Sequence, residues 1–362
     1  MISRGAPILL AAVVIAACGG GRAASSPSAT TAATAAQPAA TYTIDVTDMM
    51  GAFPPATFFV VDKSDVRAVA LLNHTTRYII PTSGKAVQVA AAGPAGRVYV
   101  LDQTNDCARL RWFDIDSGTE RASRVVAGLT VVDTGIGHGA LAVDDKQGTV
   151  YALLREPRNA LSLGAVRVEE FDWFAFHPGR TMLRSTCGER LAAAAGRVVV
   201  ACFVDKEGEI RVADGAGERT LASGLELKSM AMLGDGTLMA GDPQGNLVRL
   251  ERQQTRLERV DTLKSYGKGL IADGIAANGD CCFYFAVVDS TANDVQPRTI
   301  AGGTALIAFP TFAQPTGGLF VQAPFAYYVI AGRARHTDIT QGFSEVMSDV
   351  GPSALPGAVS NR

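Results

Sequence analysis

One pattern of polar and apolar positions recurs along the chain. A run of small apolar residues leads into a turn that contains glycine, and a stretch rich in β-branched and aromatic residues follows. Residues 90–101 show this pattern, and residues 192–201 repeat it. Glycine supplies the positive φ that a tight hairpin turn needs, and the stretch after the turn suits a buried strand. The pattern therefore predicts a series of β-hairpins.

Seven strands of the kind that follows the glycine turn are predicted. They begin near residues 57, 97, 149, 197, 237, 282 and 325. Successive starts lie 40–52 residues apart. A repeat of about 40–50 residues with four short strands in each unit is typical of a β-propeller. We therefore predict an all-β fold, a β-propeller of seven four-stranded blades, with six or eight blades as the alternatives.

The unit that begins near residue 97 resembles a known class of repeats. Its Tyr99-Val100-Leu101-Asp102 and the later residues 113–118, Phe-Asp-Ile-Asp-Ser-Gly, are similar to the YVTN and NHL propeller repeats. The resemblance is good over one blade and loose over the others, so it implies the fold more than an activity. The class includes lactonases and binding scaffolds, and no catalytic set of that class aligns with this chain.

The first 18 residues have the pattern of an export signal. Arg4 precedes an apolar stretch at 7–17, which is too short to span a bilayer, and Cys18 follows it. Residues 15–18, Ile-Ala-Ala-Cys, resemble the lipobox of bacterial lipoproteins, which implies that Cys18 is lipidated and becomes the mature N-terminus. An ordinary secretory signal is the alternative. Either interpretation predicts an extracytoplasmic protein, and the first anchors it to the cell membrane or the outer membrane.

These patterns divide the chain into four predicted parts, which are a signal peptide at 1–17, a lipidated cysteine with a flexible Ala/Ser/Thr/Pro tether at 18–41, a propeller domain at 42–340 and a loose C-terminal tail at 341–362. The strand pattern after Gly332 is weak, so the last blade is predicted to be incomplete. A lone strand at 41–46 is the candidate to close the ring by pairing into that blade.

Five cysteines follow Cys18, and disulfides form outside the cytoplasm. Cys187 and Cys202 flank a predicted hairpin that turns at Ala195-Gly196, and they stand nearly opposite each other. We therefore predict that these two form a disulfide. The pairing of the others is left open; they are Cys107, Cys281 and Cys282. The chain has no Cys-x-x-Cys and no histidine close to a cysteine, so no structural zinc site is predicted and no metal ligand is assigned among the cysteines.

Composition and charge narrow the range of functions. Hydrophobic residues make up 48% of the chain, which is incompatible with overall disorder. The chain contains 33 lysines and arginines and 35 acidic residues, so it is not a generally basic nucleic-acid binder. Residues 135–140, Gly-Ile-Gly-His-Gly-Ala, fit a dinucleotide-binding fingerprint by letters alone. They precede a predicted β-hairpin rather than a helix, so they do not predict a dinucleotide site.

Seven polar residues fall in loops that a propeller collects on one face, and they are Asp102, Asn105, Asp106, Asp133, His138, Arg155 and Arg158. The first three are candidates to bind calcium through oxygen atoms. His138 is a candidate base or ligand. The two arginines are candidates to hold an anion. Turn capping and solvated loops are the alternatives for all of them.

The predicted function is binding of an envelope protein or a small ligand through this face, without an assigned catalytic activity. The alternative is a lactonase-like or other hydrolase with its site at the mouth of the central channel. Such an enzyme needs several of the candidate residues to point into one pocket. Apart from calcium no cofactor is predicted, and the expected partners are the membrane, through the lipid anchor, and the unidentified protein or ligand, with no nucleic acid.

Overall fold

The computed structural model describes residues 56–157, 164–185 and 187–202 without a break, and residues between 209 and 360 with gaps. All of these residues belong to one compact unit, 46–362. In the described part of the chain every regular element is a β-strand. Within those residues, no helix is long and apolar enough to cross a membrane.

The described strands, numbered along the chain, are β1 (Thr57–Asp62), β2 (Asp65–Ala70), β3 (Thr76–Pro81), β4 (Gln88–Ala92), β5 (Arg97–Thr104), β6 (Cys107–Asp114), β7 (Glu120–Val126), β8 (Thr130–Val131), β9 (Leu141–Asp144), β10 (Thr149–Arg155), β11 (Val166–Asp172), β12 (Pro178–Ser185), β13 (Arg190–Ala194), β14 (Arg197–Ala201), β15 (Glu209–Asp214), β16 (Gly217–Ala222), β17 (Ser229–Met232), β18 (Leu238–Gly241), β19 (Asn246–Leu250), β20 (Glu258–Thr262), β21 (Leu270–Ile271), β22 (Tyr284–Asp289), β23 (Asp294–Thr299), β24 (Phe309–Pro310), β25 (Leu319–Gln322), β26 (Phe325–Ile330), β27 (Arg333–Asp338), β28 (Ser344–Asp349) and β29 (Leu355–Ser360).

Across the described residues these strands pair into seven antiparallel sheets. Sheet 1 has the order β29-β1-β2-β3, and sheet 2 has the order β4-β5-β6-β7. Sheet 3 contains β8 to β12, with the short β8 paired to β10 beside β9. Sheets 4, 5, 6 and 7 follow as β13–β16, β17–β20, β21–β24 and β25–β28, each in chain order. The number of blades in the complete protein stays a prediction.

The second strand of each sheet begins within two residues of its predicted start. The reason is visible in the burial of these strands. All six residues of β1 and all five of β14 are buried, because each strand is covered on both faces by neighbouring sheets. A strand covered on both faces has a nearly continuous apolar sequence, and this signal is stronger than the alternation of half-exposed strands.

First strands form the inner ring of contacts, and fourth strands form the outer edge. β29 contacts β4, β4 contacts β9, and β9 contacts β13, so successive first strands lie side by side. By contrast, four of the seven residues of β7, at the outer edge of sheet 2, are exposed and the other three are only partly buried. The sheets are therefore arranged radially, as the repeat predicts.

The C-terminal prediction was wrong. The described residues of the predicted tail 341–362 are not loose, since β28 completes sheet 7 and β29 enters sheet 1 beside β1. Pro356 and Gly357 made this segment look like a loop. A register shift between Phe59 and Val60 accommodates them, and both Pro356 and Gly357 are buried. The strand predicted at 41–46 lies outside the described residues, and the closing partner of β1 is instead the C-terminal strand.

The hairpin of β13 and β14 has the predicted register. Ala195 and Gly196 form its two-residue turn with φ values of 53° and 72°, as a type I′ turn requires. Cys187 and Cys202 lie just beyond its open end and form a disulfide across a Cα–Cα distance of 5.8 Å. Cys107 carries a free thiol, and Cys281 and Cys282 lie outside the described residues.

Arginines at the start of second strands tie neighbouring sheets together. Arg197 is fully buried and donates a hydrogen bond to the carbonyl of Gly236 in sheet 5. Arg97 donates to the carbonyl of Trp173 in sheet 3, and its guanidinium lies 4.6 Å from the Trp173 ring centroid and 4.9 Å from that of Trp112. Both tryptophans therefore serve packing between sheets 2 and 3.

Candidate functional site

The glycine-rich segment 134–140 leads from β8 to β9 and contacts the first strands of several other sheets. Its anchor in sheet 2 is Gln88, a side chain that is 1% exposed. The Gln88 amide nitrogen donates to the carbonyl of Ile136 at 2.9 Å, and its amide oxygen accepts from the backbone N–H of Ala140 at 3.0 Å. Thr134 Oγ1 lies 3.2 Å from the same oxygen. One buried side chain therefore holds both ends of the segment.

The segment is also fastened to sheet 4. Arg190 donates to the carbonyl of Thr134 at 2.8 Å, and the backbone N–H of Leu191 donates to the carbonyl of Gly139 at 2.7 Å. On the other side, the backbone N–H of Val89 donates to the carbonyl of Gly137. Segment 134–140 is thus bonded to β4 and β13, which are first strands on either side of its own sheet.

Gly137 faces sheet 1 at a distance that leaves no room for a side chain. A Cβ atom built on it would stand 2.7 Å from the carbonyl oxygen of Pro356 and 3.0 Å from Val61 Cγ2. Real Cβ atoms essentially never come so close to backbone oxygen atoms. Glycine at this position therefore permits the packing of the segment against β29, which a larger residue would prevent.

His138 belongs to this packed segment. Its Nδ1 lies 3.1 Å from the carbonyl oxygen of Pro356, and its ring centroid lies 4.8 Å from that of Phe320 in β25. Burial lowers the pKa of His138 to about 4, against the opposing effect of the Pro356 carbonyl. The imidazole is therefore neutral at pH 7 and holds β25 and β29 to the segment.

Asp133 lies at the start of the same connection but has a different role. Its side chain is exposed, and its Oδ1 accepts a hydrogen bond from the backbone N–H of Gly135 at 3.0 Å. This is the turn-capping geometry that aspartate commonly adopts in loops.

Asp102 is buried, with 0% exposure. Arg109 binds both of its carboxylate oxygens, at 2.9 and 2.6 Å, and Arg111 approaches Oδ2 to 3.5 Å. The backbone N–H of Ser83 donates to Oδ2 at 2.8 Å. The carboxylate therefore pairs with two arginines and accepts a hydrogen bond from the connection that leads from sheet 1 to sheet 2.

Asn105 and Asp106 form the exposed turn between β5 and β6. Asn105 has a φ of 52°, which asparagine tolerates better than most residues. Since Asp102 lies inside the protein and these two lie on the surface, the structure does not bring the three proposed calcium ligands together.

Arg155 ends β10, and its guanidinium lies within 3.5 Å of the carbonyl of Gly164. Arg158 lies outside the described residues. Near this loop, a cavity of about 690 Å³ opens between sheets 2 and 3. Its lining mixes charged and apolar side chains with backbone atoms; it includes Arg124, Val125, Leu129, Glu156, Arg167 and Phe171.

Four of the sequence-predicted residues have separate partners in the structure. Asp102 binds arginines, Asp133 caps its own turn, His138 contacts β25 and β29, and Arg155 contacts Gly164. Each makes its described contacts with a different set of partners. The structure therefore does not gather these four into the single pocket that the hydrolase alternative needs.

A cluster that sequence reasoning missed lies between sheets 7 and 1. His74, in the turn between β2 and β3, meets His336 of β27 and Glu345 of β28. His336 and Glu345 are direct cross-strand partners, whereas His74 lies 262 positions before His336. Burial lowers the pKa of His336 to about 4, with Glu345 acting in the opposite direction. No local spacing motif could have indicated this group.

No protein-family model matches the chain, and no curated protein matches it significantly. Several solved structures do match. A puromycin hydrolase aligns with a TM-score of 0.56 and 14% identity, over 83% of this chain and 55% of its own. The dihydro-heme d1 dehydrogenase NirN aligns at 0.54 and 14%, over 81% of this chain and 64% of its own. AztD from Citrobacter koseri aligns at 0.53 and 9%, over 85% of this chain and 97% of its own.

The chain thus spans about half of the puromycin hydrolase and nearly all of AztD. These neighbours are β-propellers, and they differ in activity as their names indicate. At identities of 9–14% such matches establish the fold alone. They confirm the prediction that this chain folds as an all-β protein of the β-propeller type.

Proposed function

We propose that the protein is an extracytoplasmic, lipid-anchored β-propeller that binds a protein partner or a small ligand through the loops of one face. One observation carries the choice of binding over catalysis. The segment 134–140, which holds the sequence's best candidate for a catalytic base, uses its polar atoms to bind β4, β13 and β29. His138 connects this segment to β25 and β29, and its polar atom is therefore not presented to a substrate.

The cavity between sheets 2 and 3 supports the binding role. Its volume of about 690 Å³ lies within the range of roughly 300–1,000 Å³ that small-molecule sites occupy. One wall is the outer edge of β7, where Val125 is 55% exposed. An open strand edge can pair with an extended peptide, so this wall also suits a protein partner.

Photocrosslinking tests the binding face. A photoreactive amino acid at Val125, in the full-length protein in its own cells, should give an adduct of defined mass. The matched control is Ile79 of β3, which is 53% exposed on the fourth strand of sheet 1 and should give none. For a small ligand, stabilisation by one of a panel of sugars and lactones, lost in Val125→Arg, would equally support the proposal.

The hydrolase alternative predicts a different result. Hydrolysis of a lactone or ester by the purified protein, lost in His138→Gln while the variant stays folded, would overturn the binding proposal. So would crosslinks from Ile79 with none from Val125.

Substitution of Cys18 tests the proposed lipid anchor. Replacing it with alanine should move the protein from the membrane fraction to the soluble extracytoplasmic fraction, because acyl chains on this residue would supply stable attachment. Fractionation followed by immunoblotting measures the change. Cys107→Ala is the control, since that thiol lies in the folded domain. Membrane retention of the Cys18→Ala protein equal to that of the wild type would contradict the lipoprotein assignment.

A further inference from the structure

Three potential ligand atoms form a nearly equilateral triangle between sheets 7 and 1. His336 Nε2 lies 3.3 Å from His74 Nε2, and each of these nitrogens lies 3.3 Å from Glu345 Oε2. Two imidazole nitrogens and one carboxylate oxygen therefore lie close enough together to bind a single ion.

The size of the triangle fits a tetrahedral metal ion. Ligands at about 2.0–2.1 Å from a tetrahedral zinc ion lie roughly 3.3–3.4 Å from one another. An octahedral ion such as magnesium, with ligands at about 2.0–2.1 Å, would bring them to roughly 2.9 Å and prefers oxygen ligands. Two histidines with one carboxylate suit zinc and similar divalent transition metals.

We propose that His74, His336 and Glu345 form a binding site for a divalent transition-metal ion, with zinc the best fit. The side chain of His336 is 7% exposed, whereas those of His74 and Glu345 are 34% and 40% exposed. The site is thus closed on the side of β27 and open to solvent on the other. Three protein ligands with one open side leave the fourth position to water or to an exchangeable ligand.

The surroundings of His336 hold its ring in place. The Phe325 ring packs edge-on against it at 5.1 Å between centroids, and Tyr327 lies at 6.4 Å. Its Nδ1 is buried without a hydrogen-bond partner among the described residues. The contacts that orient the imidazole are therefore aromatic, and its Nε2 is left facing the other two ligands.

A metal ion here would join two particular sheets. His336 and Glu345 belong to sheet 7, while His74 belongs to sheet 1, which contains both the first and the last described strand. The ion would therefore strengthen the junction beside the place where the ring closes. This role is independent of the proposed binding face.

The test is titration of the full-length protein, purified in detergent and stripped with a chelator, with Co²⁺ and Zn²⁺ alone. The wild type should take up one equivalent of Co²⁺ with the visible absorption of a four-coordinate ion, and Zn²⁺ should displace it. Loss of a second-shell partner already weakens metal binding about 10–100-fold, so loss of a ligand should weaken it about 100-fold or more. Glu345→Gln and His74→Gln, both at partly exposed side chains, should show this loss.

His177→Gln is the matched control, because His177 is a histidine with a side chain that is 73% exposed and contacts Asp172 outside the cluster. It should bind Co²⁺ like the wild type. Zn²⁺ should also raise the unfolding temperature of the wild type and the control, but not that of the two ligand variants. No uptake by the folded wild type, or uptake that persists unchanged in both ligand variants, would overturn the proposal.

Discussion

A chain that ends at Ser353, and so lacks β29, should show no cooperative unfolding transition. β29 is the antiparallel neighbour of β1 on the inner side of sheet 1. Its loss uncovers Phe58, Phe59 and Val60, which are each 0% exposed in the intact fold. Burial of such side chains contributes roughly 1.5–3 kcal/mol each, and the net stability of a domain is only about 5–15 kcal/mol. Circular dichroism and calorimetry measure the effect.

The matched control ends at Ser360 and keeps β29 whole, so it should melt like the full-length protein. A synthetic peptide with the sequence 354–362 should restore a transition to the truncated chain, because it can pair with the uncovered edge of β1. A truncated chain that melts at the wild-type temperature without peptide would show that β29 does not stabilise sheet 1.

Asp102→Ala should destabilise the protein by about 3 kcal/mol, because it removes the buried carboxylate that pairs with two arginines. The most affected group is the guanidinium of Arg111, whose side chain is 5% exposed. It keeps Glu120 at 3.5 Å and the carbonyl of Pro81 at 2.8 Å, but it loses its buried counter-charge. The substitution also leaves the backbone N–H of Ser83 without its acceptor. Urea unfolding followed by fluorescence measures the loss in free energy of unfolding.

Two variants separate this network from the calcium alternative. Asp102→Asn keeps an acceptor of similar shape and should lose less than the alanine variant. Asp106→Ala, on the exposed turn, should change stability by no more than about 0.5 kcal/mol. If calcium stabilised the wild type and both alanine variants abolished that response, Asp102 would be a ligand and the structural interpretation would be wrong.

Where apolar pattern and turn chemistry act together, the sequence was sufficient to predict the structure. β5 and β14 were located from their apolar runs and preceding glycine turns, and the turn at Ala195-Gly196 set the register that opposes Cys187 and Cys202. These are local signals, since the residues that decide them lie within about 20 positions of one another.

The failures come from contacts that no local signal encodes. β29 contains Pro356 and Gly357, which weaken any strand signal, and its partner β1 lies some 300 positions earlier. The polarity of Asp102 indicated a surface ligand, but Arg109 and Arg111 on the next strand neutralise it in the interior. His74 and His336 are likewise brought together only by the packing of sheet 7 against sheet 1.

The pairing of β29 with β1 has a consequence for how the protein is made. Synthesis releases the N-terminal part of a chain first, and domains usually begin to fold in that order. In this protein, sheet 1 cannot be completed until Ser360 has been synthesised, nearly 300 residues after β1. Sheet 1 is therefore complete only after β29 has been synthesised. A chain that terminates before β29 leaves the edge of β1 exposed, and quality control can recognise such an edge.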